Sequence, residues 1–136
     1  METALTVCQA EWEGWHTTQL ARAAGDPDVC DVEHYRQMVA ERTARLYDVY
    51  QSGRRVACYL LTAEPLPVGG REVVIVAGAS IGQGLYVPVL RIVQHQAAGA
   101  DSIRIHAIRP GAVRMAQRAG FEPVETVMRW KRGQQQ

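Results

Sequence analysis

The chain has 136 residues at 15.1 kDa, with 47% hydrophobic and 21% charged residues. That is enough chain for one core, expected as a single domain over residues 1–136, and the balance excludes a disordered tail, a collagen repeat or a coiled coil. The net charge is +1, yet residues 1–50 hold four Arg against nine acids, while residues 81–136 hold eight Arg and Lys against three acids. Such asymmetry fits a second half that faces an anion, or halves that meet each other or another subunit, and scattered arginines on solvated faces also produce it. No apolar run reaches the roughly eighteen residues of a membrane span, and METALTVCQAEWEGW lacks the basic and apolar regions of a signal peptide, which predicts an intracellular protein. Cys8, Cys30 and Cys58 are odd in number and widely spaced, a pattern of buried thiols in a reducing compartment rather than a disulfide frame or zinc site.

In chain order, a short strand can precede a first helix from Glu11 to Ala23, with Trp12, Trp15, Gln19, Leu20 and Ala23 on one side and Gly25-Asp26-Pro27 at its end. Asp31 is an N-cap for a second helix, in which Val32, Tyr35, Val39 and Arg42 align and which ends near Ala44. Leu46 to Gln51 and Arg55 to Thr62 read as a hairpin turning at Ser52-Gly53. After a loop from Glu64 to Gly70, the β-branched run Glu72 to Ala79 has the pattern of a central strand covered on both faces.

Gly78, Gly82 and Gly84 lead from that strand into a helix from Tyr86 to about Ala98, with Pro88 in its first turn and Val89, Ile92 and Val93 inward. Ser102 to Ile108 alternates as a strand, with Ile103, Ile105 and Ala107 on one face and Arg104 and His106 on the other. Pro110 opens a short helix closed by Gly120 as a left-handed cap, and Phe121 to Trp130 reads as a last strand. The order predicts an α/β (α+β) fold, a mixed central sheet with helices on both faces.

A glycine-rich turn entering a helix presents backbone N–H groups at the positive end of the helix dipole, which suits a pyrophosphate. The residues in that place are Gly78, Ala79, Ile81, Gly82, Gln83, Gly84 and Leu85. A bulge at Gly78 would splay the strands so that an amide-bearing arm pairs with the freed edge. The same glycines equally serve a tight strand-to-helix turn without any ligand.

Ala79-x-x-Gly82-x-Gly84, then Arg109-Pro110-Gly111-Ala112, then Ala119-Gly120-Phe121 stand at consistent separations. Over about residues 71–130 the chain resembles the second half of a domain of the GNAT superfamily of N-acetyltransferases. The resemblance implies a GNAT-like fold, acetyl-CoA or CoA as cofactor, and an amine acceptor on a small molecule or protein. In that family a Tyr of the last helix protonates the leaving thiolate, the loop carries Arg or Gln, and the turn carries Asn. The matching positions here are Ala116, Ala79 and Arg109, and alanine donates neither a proton nor a hydrogen bond. Glu72, His106 and Tyr86 are the remaining candidates for acid or base, with Tyr59 a further acid, although each also fits a strand end, a surface histidine or a core edge.

The segments REVVIVAGASIGQGL and AAGADSIRIHAIRPGAVRMAQRAGF are also similar to a diverged GNAT-like group encoded by tailed phages and prophages. The combination implies a catalytically degenerate protein, virion-associated or accessory, in a bacterial cytoplasm or a virion, that self-associates or binds virion proteins. An active N-acetyltransferase is the alternative. A nucleic-acid-binding module, resting on Arg104, Arg109, Arg114, Arg118 and the tail Arg129-Trp130-Lys131-Arg132, ranks third because no recognition motif accompanies those charges. Phosphate-loop, zinc-protease and serine-hydrolase motifs are absent, and His16, His34, His95 and His106 lack metal-ligand spacing. Trp12 and Trp15 fit a core or a subunit interface better than a stacking platform.

Overall fold

The computed structural model describes residues 4–24, 31–107 and 110–133. Five strands form one sheet in the order β1 (Leu5–Ala10), β2 (Arg45–Gln51), β3 (Arg54–Pro65), β4 (Arg71–Ser80) and β5 (Ser102–Ile105). Neighbours are antiparallel except β4 and β5, which run parallel. Helices α1 (Gly14–Ala23) and α2 (Val32–Ala40) cover one face, and α3 (Tyr86–Gln96) and α4 (Pro110–Arg118) cover the other. The expected mixed sheet with helices on both faces is therefore the observed architecture.

Each face has its own apolar cluster because strand side chains alternate. Leu20 of α1, with Val32, Tyr35, Met38 and Val39 of α2, packs on Leu46, Cys58 and Leu60. Leu85, Leu90 and Val93 around α3 and Ala116 of α4 pack on Val49, Ala57, Tyr59 and Ile75. Leu90 replaces the expected Ile92 as the inward partner of Val93.

Local chemistry sets the boundaries. Asp31 caps α2 as expected, its side chain accepting from Glu33 N–H at 2.9 Å. That helix stops at Ala40 rather than near Ala44, because Thr43 and Ala44 N–H both turn back to the Met38 carbonyl and Arg42 adopts φ +63°. The β2–β3 hairpin turns at Ser52-Gly53 with both residues at positive φ, matching the right-handed strand twist. The first helix begins at Gly14, three residues later than expected; its expected stop at Gly25-Asp26-Pro27 lies outside the described residues, as do Cys30 and Ile108. Of the other cysteines, Cys58 is buried but Cys8 is exposed, against the expectation of buried thiols throughout.

One sequence expectation fails at the C-terminal end. Phe121 to Trp130 forms no strand: Phe121 closes α4 by donating to the Ala116 carbonyl at 3.0 Å, and residues 122–130 join no ladder. Their period-two pattern is real, but a strand exists only when its edge groups find a ladder, and β5 is just four residues long. Val124, Val127, Met128 and Trp130 are left exposed as a result.

Beneath α1 lies a polar network that the chain's periodicity does not reveal. His16 is fully buried, with Nε2 2.7 Å from Asp48 Oδ1 of β2 and Nδ1 accepting from the Glu13 N–H at 2.9 Å. Since Nδ1 is the acceptor, Nε2 carries the proton and donates to Asp48. Arg55 bridges Glu13 at 2.7 Å and Asp48 at 3.2 Å while its guanidinium lies 4.2 Å over the Trp15 ring. Trp12 and Trp15 flank the imidazole. The network caps α1 and locks its start to the sheet. Asp48→Ala would strand the buried His16 donor, and we expect a loss of about 2–4 kcal/mol in urea unfolding with the slope unchanged.

Candidate functional site

The site begins with one extra residue. Leu60 pairs with Ala77 and Leu61 with Ile75, so Val76 is the bulged residue of β4. The parallel ladder to β5 covers only Glu72 to Ile75 against Ser102 to Ile105. Beyond that point residues 77–80 of β4 pair with β3 alone, and their other edge faces an opening between β4 and the chain leaving β5. The bulge was expected at Gly78. Gly78 instead marks a close approach, since a Cβ there would lie 3.4 Å from the Cys58 carbonyl and 3.5 Å from Tyr59 Cβ.

Beyond β4 the chain turns sharply into α3. Ile81 N–H donates to the Val56 carbonyl at 2.8 Å, which pins the loop to β3. Gly82 at φ +100° and Gly84 at φ +79° then take conformations that side chains resist. Leu85 is buried, and its carbonyl accepts the first bond of α3 from Val89 N–H at 2.9 Å. The N–H groups of Gly82, Gln83, Gly84, Leu85, Tyr86 and Val87 donate to no backbone partner among the described residues. Such donors at the positive end of an eleven-residue helix have the chemistry that suits an anion. Ala79, pairing with Cys58, contributes no donor there, and burial pushes the Cys58 thiol up to about 12, so it stays protonated.

The acid and base candidates fall in different places. The Glu72 carboxylate accepts from Ser102 Oγ at 2.8 Å and pairs with Arg104 at 3.2 Å, so it ties the start of β4 to β5. Arg104 also pairs with Glu64 at 3.1 Å, and its Nε is buried without a hydrogen-bond partner. The Tyr59 hydroxyl donates to Gln96, its ring stacks on Tyr47 with centroids 5.4 Å apart, and burial raises its pKa. Tyr86 opens α3 half-buried, and burial raises its pKa too, keeping the phenol protonated at neutral pH. His106 is exposed one residue beyond β5, at the mouth of the opening. Ala116 is buried within the α3–α4 cluster. Arg109 lies outside the described residues. Thus the structure brings the free edge of β4, the glycine loop, Tyr86 and His106 to one end of the sheet, whereas Glu72 and Tyr59 are held elsewhere.

A groove of about 1830 Å³ follows β5 and runs onto the α2 side, where Tyr35, Met38, Thr62, Val76 and His106 contribute to its walls. Sequence reasoning missed its α2 wall, which only the packing of α2 on the sheet creates. Among the described residues no cluster of His, Cys, Asp and Glu is arranged to hold a metal ion, and no helix is long and apolar enough to cross a membrane.

No family model and no curated protein sequence matches the chain. Solved structures do. A transcriptional regulator from Bacillus halodurans superposes with a TM-score of 0.69 at 17% identity, over 94% of this chain and 99% of that one. A ribosomal-protein-alanine N-acetyltransferase from Brucella melitensis gives 0.68 at 16%, over 94% and 100%. A predicted acetyltransferase with acetyl-CoA from Clostridium acetobutylicum gives 0.63 at 12%, over 94% and 96%. The chain therefore has the fold of the GNAT acetyltransferases.

The place of Ala116 has a direct consequence for rebuilding the missing phenol. A tyrosine there would have to fit beside a packed cluster containing Val93 and Ala119, at the wall of the groove. Ala116→Tyr should lower stability by about 1–3 kcal/mol, read as a lower melting temperature.

Proposed function

We propose that the chain is a GNAT-fold protein that binds acyl-CoA but catalyses acetyl transfer weakly or not at all, a single-domain phage or prophage protein with a virion-associated or accessory role. The observation that carries the binding half is the pairing of two features at one end of the sheet: the unbonded N–H row of residues 82–87 and the free edge of β4 over residues 77–80. The first suits the pyrophosphate, and the second suits the amides of the pantetheine arm, which would add to the sheet like a short strand. The cofactor would supply an activated thioester; the chain would orient it and admit an amine from the α2 side of the groove.

The degenerate half rests on what surrounds the thioester. An amine attacking the carbonyl must lose a proton, and the departing thiolate must gain one or be otherwise stabilised. Ala116, although it lines the groove, has no proton to give. Glu72 is engaged by Arg104 and Ser102, and the Tyr59 hydroxyl by Gln96. His106 and Tyr86 remain, and they favour the second reading, an active N-acetyltransferase with His106 as base and Tyr86 as acid. Tyr86 stands at the phosphate end of the opening, the wrong end for a sulfur leaving group. The biological setting rests on the resemblance of residues 71–85 and 97–121 to phage-encoded GNAT-like chains, read from the sequence alone.

Calorimetry with CoA and acetyl-CoA tests the binding half. We expect heat at micromolar to millimolar cofactor and a several-fold weaker affinity in Gly84→Ala, whose side chain strains a φ of +79°. No heat at millimolar cofactor would overturn acyl-CoA binding. Steady thiol release from acetyl-CoA with a range of amines, abolished by Tyr86→Phe or His106→Gln, would establish the active enzyme instead.

A further inference from the structure

The uneven charge of the sequence becomes a division in space. Helices α1 and α2 with their caps carry Glu13, Asp31, Glu33 and Glu41 against Arg22 and Arg36. On the opposite face of the sheet, α3 and α4 carry Arg91, Arg114 and Arg118 and no acid. Between Glu72 and Glu122 the sequence holds a single acid, Asp101, and the start of β4 engages it: its carboxylate accepts from the Arg71 N–H at 2.8 Å. Arg91, Arg114 and Arg118 are exposed, and none of them is in an ion pair among the described residues. Arg104 is different, since Glu64 and Glu72 neutralise it.

We propose that the outer face of α3 and α4 binds the phosphate backbone of a nucleic-acid duplex without reading its sequence. The three guanidiniums are spread along α4. Arg114 Nη2 lies by Gly111 in the first turn, 3.8 Å from where a Cβ on that residue would stand, and Arg91 Nη2 donates to the Arg118 carbonyl at 3.3 Å in the last. A nine-residue helix is about 13 Å long, and a duplex carries roughly eight phosphates over that length of axis. Each guanidinium has a fork of N–H donors, and the described residues engage one from Arg91 and one from Arg118, so most remain for phosphate oxygens.

The chemistry of the face favours nucleic acid over an acidic protein. The other polar side chains exposed on these helices are His95, Gln96 and Gln117, and none of the large apolar residues exposed among the described residues lies on either helix. A protein interface has an apolar centre with its charges at the rim, whereas a nucleic-acid interface is polar and positive throughout. No recognition motif is needed, because phosphate contacts position a protein on a duplex without reading its bases. With the acids of α1 and α2 on the far side of the sheet, the molecule's own field turns α3 and α4 toward an approaching polyanion. The N–H row of residues 82–87 is no part of this face, which therefore acts independently of acyl-CoA binding.

The test titrates the full chain into short labelled DNA and RNA duplexes of unrelated sequences at several salt concentrations, read by fluorescence polarisation. We expect a Kd of about 10⁻⁶–10⁻⁴ M near physiological salt that does not depend on sequence, and the tighter of the two duplexes names the source of the phosphates. Log Kd should rise with log salt at a slope of about 2.7, roughly 0.9 for each of three phosphates. Arg91→Ala, Arg114→Ala and Arg118→Ala should each weaken binding several-fold and lower that slope by about 0.9, with circular dichroism unchanged because all three positions are exposed. Arg129→Ala/Arg132→Ala should leave the slope as it is. No binding of either duplex at about 10⁻⁴ M would overturn the proposal. So would a loss confined to the Arg129→Ala/Arg132→Ala variant, or displacement of the duplex by polyglutamate at equal charge concentration, which would make the partner an acidic protein.

Discussion

The single extra residue in β4 is the constraint from which the rest of the architecture follows. Val76 breaks the register with β3 between Ala77 and Ile75, and the sheet can continue toward β5 only below that point. Above it, β4 keeps one satisfied edge and one open edge, and Gly78 allows the backbone to pass close to Tyr59 without a clash. The chain then has to reverse into α3, and Gly82 and Gly84 make that turn with N–H groups that have no backbone partner among the described residues. Bulge, close approach, turn and helix start form one continuous device. Filling any part of it with a bulky side chain would disturb the others.

Support for this device comes from the far side of the sheet. His16, Asp48, Arg55 and Glu13 form a closed set of donors and acceptors that fixes α1 against β2 and β3. A histidine and a carboxylate 2.7 Å apart resemble a proton relay, but the second ring nitrogen already accepts the Glu13 N–H and the ring is fully buried. The pair holds the scaffold; it does not touch the opening.

The elements legible in the sequence are those whose signals are local. The Asp31 cap, the Ser52-Gly53 turn, the β-branched run of β4, and the glycines before α3 each act within a few residues, so pattern alone finds them. What depended on partners distant in the chain was misplaced. The segment after Phe121 has strand periodicity without a ladder, and the bulge sits at Val76 rather than at the nearby glycine because register is a property of two strands. The loop residues of the candidate site were readable for the same local reason. The burial of Ala116 and the capture of Glu72 by Arg104 were not, since both are set by which helix and strand come to lie beside them.

The four-residue ladder between β4 and β5 also has a dynamic meaning. Strands β2, β3 and β4 form a meander of local hairpins, with the most extensive pairing in the molecule between β3 and β4. That meander should form early and open late, because its contacts are close in sequence. β5 joins the sheet only after the chain has passed through α3, and it is held by four residue pairs on one side. Amide hydrogens of Ser102 to Ile105 should therefore exchange by local opening, well before the global unfolding that frees those of β3. The wall of the opening beside β5 is then held more loosely than the meander behind it, and it can shift while β3 stays fixed.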